Sequence, residues 1–568
     1  MDRHRNFCSC EHFGHEGQSA HMGHVWLQAT SVPLLLGVAL TVNGRLEAQG
    51  ERKTQADAAA RLIGLQFTDA ELELMMRKVG ANLRSFKRLR REVLPNELYP
   101  ALAFNPFLPG IVDRSVALPA RELALPTRER PDDLKALAFA DIETLASLIK
   151  SKRVSCVELT QMFLKRLTRL DKSLHCVITL TEKRALKTAR QLDQEIAAGK
   201  YRGPLHGIPY GAKDLLAARG TRTTWGAKPF ENQMLDYDAT VVQRLEQAGA
   251  VLIAKLTLGA LAWGDVWFGG KTRNPWNPQQ GSSGSSAGPC SATAAGGVPF
   301  AIGSETYGSI VSPSSRCGTT GLRPTFGRIS RHGAMTLSWS LDKLGPICRS
   351  ATDCAFVMAA IHGADGKDPS ARTKPFAMAK TANMKGLRVG YWESAFRNNE
   401  PGQKVLDNLS ALGCELVEVE LPSYPTGDMM FVLNAEAAAA FDEFTRSNRD
   451  DELVRQVAQA WPNVFRAARL IPAVEYIQAN RLRTRLMRDF DKVMRNIDVL
   501  VHPPFAGGIL ALTNLTGHPT FIAPSGFRPN GPPRSICLTG QLDDDARLLA
   551  IAATWQAQTK HHHRHPDL

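Results

Sequence analysis

The chain is 568 residues long and 43% hydrophobic, a composition typical of a soluble globular enzyme with a large core. Its net charge of +14 would suit an anionic partner, but no basic strand with interleaved aromatic residues indicates base stacking, so no nucleic-acid partner is expected. The ten cysteines are scattered and include no pair of CxxC motifs, which excludes a zinc site of that kind.

Residues 1–50 are predicted to be a disordered N-terminus that contains a candidate signal peptide. The apolar run at 31–42, SVPLLLGVALTV, is too short to span a bilayer but has the length of a signal-peptide core. Ala48-Gln49-Gly50 is a small-x-small cleavage candidate, whereas Arg3 and Arg5 lie far upstream of the run. The sequence therefore leaves two locations open, a periplasmic or secreted one if the run is a signal peptide and a cytoplasmic one otherwise.

Residues 51–138 are predicted to form a helical extension followed by a proline-rich connector. Thr68 to Glu71 resembles an S/T-x-x-E capping box, and apolar residues recur at helical spacing after it. Seven prolines between 95 and 131 indicate an extended segment.

The region 139–568 is predicted to be the main domain, because strand and helix patterns alternate along it. Two amphipathic helices flank a break at 151–155, and 251–256 is predicted to be a buried strand. Long helices are predicted at 435–446 and 474–494. This alternation predicts an α/β fold with helices on both faces of a sheet.

The stretch 281–325 is crowded with Gly and Ser but is interrupted by apolar blocks, so it is predicted to be a packed element and not a linker. Within it, Gly284–Gly288 matches G-x-S-x-G, the nucleophile elbow of α/β-hydrolases, which needs a strand before it and a helix after it. The preceding TRNPWNPQQGSS is predicted to be a loop, so the match is interpreted as incidental. An esterase with Ser286 as nucleophile stays an alternative.

Three residues favour a serine hydrolase that uses a lysine base. Lys213 stands in an apolar, Gly-rich setting, where burial would lower its pKa and let it act as a base; the alternative is a structural lysine paired with Asp214. Ser285 and Ser309 lie in Gly-rich turns, although each serine taken alone is more often structural.

Four stretches carry a family resemblance: GPLHGIPYGAKDLL around Lys213, GSSAGPCSATAAGGVPFAIGSETYGSI across the serines, CGTTGLRPTFGRIS after them, and NLTGHPTFIAPSG near the end. They resemble the amidase signature family of Ser-Ser-Lys amide hydrolases, over about three quarters of the chain, which implies that 139–568 is the catalytic domain. Ser285 and Ser309 lie 24 positions apart, the separation expected between the family's relay serine and its nucleophile.

The resemblance implies a large mixed central β-sheet covered by helices on both faces, and no cofactor or metal. It also implies that Lys213 is the base, Ser285 the relay serine held through a cis peptide bond, and Ser309 the nucleophile. The motif leaves Ser282 and Ser283 as competing relays. The implied oxyanion hole is formed by the backbone N–H groups of Thr306, Tyr307, Gly308 and Ser309.

The sequence departs from the usual Gly-Gly-Ser-Ile-Arg of the family at Tyr307 and Val311, which puts substrate specificity in question. Trp263, Trp267 and Tyr307 are predicted to bind substrate, while the alternative for the two tryptophans is an ordinary core position. A pair between Glu305 and Arg316 is hypothesised to brace the nucleophile turn.

The sequence therefore predicts a serine amidohydrolase that cleaves the C–N bond of a small linear carboxamide, with esters or carbamates as side substrates. Neither a membrane span nor a cofactor is expected, and a homodimer is compatible with the sequence. The alternatives are the A subunit of a tRNA-dependent amidotransferase, against which the N-terminal appendage argues, and a catalytically inactive binding protein.

Overall fold

The computed structural model divides into two compact units, with the boundary between Glu92 and Val93. The candidate signal peptide at 1–50 lies outside the described residues, and the predicted domain boundaries at 50 and 138 stay predictions. No helix within the described ranges is long and apolar enough to cross a membrane. The structure describes residues 51–89, 91, 95–96, 102–116, 125–379, 381–397, 399–529 and 531–568.

The described residues of the first unit form two helices. They are α1, at residues 51–62, and α2 (Asp69–Leu89). The predicted capping box is present at the start of α2: the Glu71 carboxylate accepts from the Thr68 N–H at 2.7 Å, and the Glu71 N–H donates to Thr68 Oγ1 at 3.4 Å. These two bonds satisfy backbone groups that a helix N-terminus leaves without intrahelical partners.

The second unit is built around one large sheet. Its helices are α3 (Ile142–Lys150), α4 (Cys156–Leu174), α5 (Glu182–Ala197), α6 (Thr240–Gln247), α7 (Ala287–Ala294), α8 (Val311–Cys317), α9 (Ala351–Ile361), α10 (Glu393–Phe396), α11 (Glu400–Ala411), α12 (Phe431–Ala440), α13 (Asp442–Arg446), α14 (Trp461–Ala468), α15 (Ala473–Met494), α16 (Ile509–Thr516) and α17 (Asp545–Thr559). Its strands are β1 (Val177–Leu180), β2 (Pro209–Lys213), β3 (Val251–Leu256), β4 (Val266–Trp267), β5 (Gly270–Lys271), β6 (Arg273–Asn274), β7 (Asn277–Gly281), β8 (Phe300–Glu305), β9 (Thr320–Arg323), β10 (Lys343–Cys348), β11 (Arg388–Tyr391), β12 (Glu415–Glu418), β13 (Val499–His502), β14 (Thr520–Phe527) and β15 (Pro533–Gly540).

Eleven of the described strands form a single mixed sheet in the order β1-β3-β2-β8-β10-β9-β14-β15-β13-β11-β12. The pairs β2–β3, β2–β8, β11–β12 and β11–β13 are parallel, whereas β8–β10, β9–β10 and β14–β15 are antiparallel. Helices cover both faces, so the predicted fold class is confirmed. The central strands β2 and β8 are buried along their whole length, and they carry the functional residues described below.

The predicted break between the first two helices of this unit is confirmed. Ser155 caps α4, since its hydroxyl accepts from the Glu158 N–H at 3.1 Å and the Glu158 carboxylate accepts from the Ser155 N–H at 2.9 Å. The apolar face of α4, which includes Leu159, Phe163 and Leu167, is fully buried.

Two predictions of local structure are wrong. The helix predicted over 435–446 is interrupted at Phe441, because this large side chain is buried and its backbone leaves the helical conformation between α12 and α13. The loop predicted before Gly284 contains β7, which pairs with β6 in a separate two-stranded sheet. Backbone pairing with β6 overrides the weak strand propensity of NPQQG.

The proline-rich connector runs along the second unit without regular secondary structure in its described residues. The Phe104 ring lies 5.0 Å from the ring of Phe326, edge to face. The Val116 N–H donates to Asp544 at 3.0 Å. These contacts attach the connector to the sheet-bearing part of the unit.

Candidate active site

Lys213, the last residue of β2, has a side chain that is completely buried next to β8. Its Nζ donates to Ser285 Oγ at 2.7 Å, to Ser304 Oγ at 2.9 Å and to Ser286 Oγ at 3.2 Å. Burial lowers the pKa of Lys213 to about 7, because the charged ammonium has lost its hydration. A substantial fraction of this amine is therefore neutral near neutral pH, as a base requires.

The neighbouring Asp214 does not hold Lys213, contrary to the alternative considered from the sequence. Asp214 forms a fully buried ion pair with Lys255 at 2.7 Å and accepts from the Thr224 N–H at 2.7 Å. The Lys213 amine is thus left to the serine hydroxyls, while Asp214 and Lys255 brace the end of β2 against β3.

Four serines of the Gly/Ser-rich turn have different surroundings. The peptide bond between Gly284 and Ser285 is cis, and the Ser285 hydroxyl faces Lys213. Ser286 Oγ donates to the Ser304 carbonyl at 3.0 Å and accepts from the Ser304 N–H at 3.1 Å. Ser282 and Ser283 bond elsewhere, to the Ser283 carbonyl and to Ser312. Of the three candidate relay serines, Ser285 is the one that contacts Lys213 among the described residues.

The second serine, Ser309, lies in the turn between β8 and α8 and is partly exposed. The Ser309 carbonyl accepts from the Ser286 N–H at 3.0 Å, which joins the two serine-bearing turns. In the described part of the chain, the Ser309 hydroxyl makes no hydrogen bond. The Ser309 hydroxyl is therefore available to a substrate.

The turn before Ser309 has a backbone that a glycine permits. Gly308 has a φ of +88°, a backbone conformation that residues with a Cβ rarely adopt. A Cβ at this position would also lie 3.0 Å from Leu510. Thr306 Oγ1 donates to Asp342 at 2.6 Å, which anchors the start of the turn. Asp342 also accepts from two backbone N–H groups, at 2.8 and 2.9 Å, so its position is itself determined.

The nucleophile turn is braced by Glu305, but not through Arg316 as hypothesised. One Glu305 oxygen accepts from the N–H groups of Ile310 and Val311 at 2.8 and 2.9 Å, and the other accepts from Arg323 at 2.8 Å. Arg316 is exposed on α8 and forms no ion pair with Glu305 among the described residues.

The charges of this buried pair compensate each other. Although burial alone would raise the pKa of Glu305, the Arg323 guanidinium and the two N–H donors lower it to about 2. Arg323 on β9 thus supplies a positive charge beside the turn in which Val311 replaces the usual arginine of the family motif.

We expect Glu305→Gln to destabilise the fold by about 3–5 kcal/mol, because it leaves the buried Arg323 charge without its partner. Urea unfolding of wild type and variant measures the difference. Glu400→Gln, which removes the acidic partner of an exposed helix pair with Lys404, is the matched control and should leave the midpoint unchanged. An unchanged midpoint in Glu305→Gln would contradict this brace.

A cavity of about 470 Å³ reaches the serine–lysine cluster at Ser304 and Thr306. Apolar side chains line much of it, among them Leu215, Met335 and Trp339. Its volume falls within the range of small-molecule sites. We call it the inner cavity.

The three predicted substrate-binding residues do not line the inner cavity within the described chain. The Arg455 guanidinium lies 4.1 Å from the Trp263 ring, and Trp267 packs edge to face on Phe268 at 4.9 Å. Tyr307 is 41% exposed beside Ser309. Their role in substrate binding stays a prediction.

Ser304, Asp342 and Arg323 contact the site but were not predicted from the sequence. Ser304 contacts the lysine and Asp342 anchors Thr306, while Arg323 pairs with Glu305. The alternation of side chains along β8 could have placed Ser304 on the lysine face, opposite to Glu305. No sequence signal identifies Asp342 or Arg323, since both reach the site from other strands or loops.

Comparison with known proteins identifies relatives of this chain. The family model described as Amidase matches residues 158–521. The A subunit of glutamyl-tRNA(Gln) amidotransferase from Bacillus licheniformis is 32% identical over 479 residues, which cover 75% of this chain and 99% of that protein. The protein of the same name from Roseiflexus sp. is 34% identical over 466 residues, which cover 73% and 95%.

Solved structures extend the similarity to the fold. The X-ray structure of native peptide amidase from Stenotrophomonas maltophilia superposes with a TM-score of 0.68 at 28% identity, and the match covers 76% of this chain and 99% of that one. The family model spans more than half of the chain, and the relatives match over nearly their whole length. The chain therefore belongs to the amidase signature family and is an amide-hydrolysing enzyme.

Proposed function

We propose that this enzyme cleaves the C–N bond of small linear carboxamides through an acyl-enzyme on Ser309, with Ser285 as relay and Lys213 as base. The observation that carries the proposal is the 2.7 Å contact between a fully buried lysine of lowered pKa and Ser285. A lysine of this kind is an established base for serine nucleophiles.

In the proposed reaction, neutral Lys213 takes the Ser285 proton while Ser285 takes the Ser309 proton. The Ser309 oxygen forms a bond to the amide carbonyl carbon, and the carbonyl oxygen becomes an oxyanion. As the C–N bond breaks, the proton passes back through Ser285 to the departing amine. Water then attacks the carbonyl carbon of the Ser309 ester and gives a proton to the same relay. The C–O bond to Ser309 breaks, the relay returns the proton to the Ser309 oxygen, and the carboxylic acid is released.

The proposed oxyanion hole is the backbone of the turn at 306–309. Within the described chain, the N–H groups of these four residues are not used in hydrogen bonds to other protein groups. The Thr306–Asp342 bond and the Glu305 brace hold the two ends of the turn, so these donors are preorganised and do not have to rearrange during reaction.

A second candidate is the A subunit of a tRNA-dependent amidotransferase, which would release ammonia from an amide donor for its assembly. The specific observation that favours it is that relatives above 30% identity, from Bacillus licheniformis and Roseiflexus sp., carry that name. Under the second candidate, tRNA and other subunits are partners, whereas under the first the expected partner is a small-molecule amide, with a homodimer as the proposed assembly.

A hydrolysis screen distinguishes the two candidates. We expect the purified chain alone to release amine or ammonia from alkyl and aryl amides, with Ser309→Ala as the blank and esters and carbamates as slower or parallel substrates. Glutamine is tested in the same assay, with and without tRNA and the other subunits of a bacterial amidotransferase. Hydrolysis of glutamine only, and only in the presence of those components, would support the second candidate and overturn the first.

A further inference from the structure

A second cavity, of about 790 Å³, shares the lining residue Trp339 with the inner cavity. We call it the outer cavity. It is lined by the connector at 102–108, by α12 and by α15, and its lining is largely apolar. Trp339 is the residue that both cavities share among the described residues, which places it where the two cavities adjoin.

The loop that carries Trp339 is held from both sides. The Trp339 carbonyl accepts from Arg331 at 2.8 Å. Ser340, the next residue, donates through its hydroxyl to the buried Glu436 of α12 at 2.7 Å, and its carbonyl accepts from Arg483 of α15 at 3.0 Å. Because these bonds involve the backbone and the flanking serine, they remain when the indole is removed.

We propose that Trp339 is a specificity-determining residue: its indole closes the inner cavity and excludes long apolar chains attached to the scissile amide from the outer cavity. The proposal rests on the proposed amide hydrolysis at Ser309. Ser304 and Thr306 line the inner cavity together with Trp339, so a substituent that enters this cavity from the reacting carbonyl would meet the indole before it reached the outer cavity. The apolar lining beyond the indole would favour a hydrocarbon chain.

The test compares short and long substrates in Trp339→Ala. Two series of linear amides are used, one with the acyl chain lengthened from butanoyl to dodecanoyl and one with the amine chain lengthened to the same extent. We expect kcat/KM for the long substrate, relative to the short one, to rise at least about tenfold in one series, as expected for several newly buried methylene groups. Trp339→Phe keeps an aromatic wall and should retain the wild-type preference.

A refilled variant tests whether the outer cavity itself is responsible. Ala439 lines this cavity from α12 and is exposed. Ala439→Trp alone should leave hydrolysis of the short substrate unchanged, whereas Trp339→Ala combined with Ala439→Trp should lose the gain for long chains. A gain that persists in the double variant, or a chain-length preference that is unchanged in a Trp339→Ala protein of wild-type melting temperature, would overturn the proposal.

Binding measured without turnover separates this proposal from the proposed function. In a Ser309→Ala background, isothermal titration with dodecanamide and with N-dodecylbutanamide should show at least about tenfold tighter binding of one of them when Trp339 is also replaced by Ala. If wild type hydrolyses no amide, the proposed function fails, and the titration still decides the role of Trp339. Equal affinities with and without the indole would refute that role.

Discussion

Replacing Ser309 with Ala is expected to abolish amide hydrolysis, by at least about a thousandfold, and to prevent covalent labelling by a fluorophosphonate. The reason is that the Ser309 hydroxyl is the proposed nucleophile, whereas Ser285 and Ser304 are buried and bonded to Lys213, and Ser286 is bonded on both sides to the backbone of Ser304. Turnover of a simple amide and gel detection of the label measure the two effects. The melting temperature should stay close to that of wild type, because the hydroxyl makes no hydrogen bond to any group that the structure describes.

Ser286→Ala and Ser283→Ala are the matched controls for this experiment. Ser283 bonds to Ser312 at 2.8 Å and makes no hydrogen bond to Lys213 within the described chain, so its removal should leave labelling intact. Ser286→Ala should lower activity, since it removes a hydrogen bond to Lys213, but labelling should remain. Labelling that survives in Ser309→Ala and is lost in Ser286→Ala would contradict the assignment and support the nucleophile-elbow alternative.

Replacing Lys213 with Ala is expected to lower kcat/KM by about a hundredfold to ten-thousandfold, the usual contribution of a general base. The pH dependence gives a sharper test. Because the base must be neutral and burial lowers the pKa of Lys213 to about 7, wild-type kcat/KM should rise tenfold per pH unit below about pH 7 and level off above it. The residual activity of Lys213→Ala should lack this titration.

The control for Lys213→Ala replaces a lysine that lies outside the proposed proton relay. Lys404→Ala, at an exposed pair on α11, should leave both the rate and the pH profile unchanged. A wild-type profile that is flat between about pH 5 and 8, or that falls as the pH rises through 7, would show that a neutral Lys213 is not the base. The profile is measured as kcat/KM, which reports groups of the free enzyme.

Local patterns in the sequence were sufficient for most of the secondary structure. The threonine at 68 followed by a glutamate three residues later predicted the start of α2, and the apolar run at 251–256 predicted β3, because capping and burial of a short strand depend on neighbouring residues. The same reasoning was wrong at Phe441 and at β7. There, a buried side chain and pairing with β6 override the local preference.

The sequence by itself determined the family and the three residues proposed for the chemistry, since the glycines and serines of the nucleophile segment occur at the spacing of the family motif. Only the tertiary structure decided what surrounds them. The Lys213 amine bonds to three serines, Glu305 pairs with Arg323 of β9, and Trp339 lines two cavities. Each of these features brings together residues that are separated in the sequence. Their separation along the chain does not indicate which buried charges or cavities the folded sheet brings together.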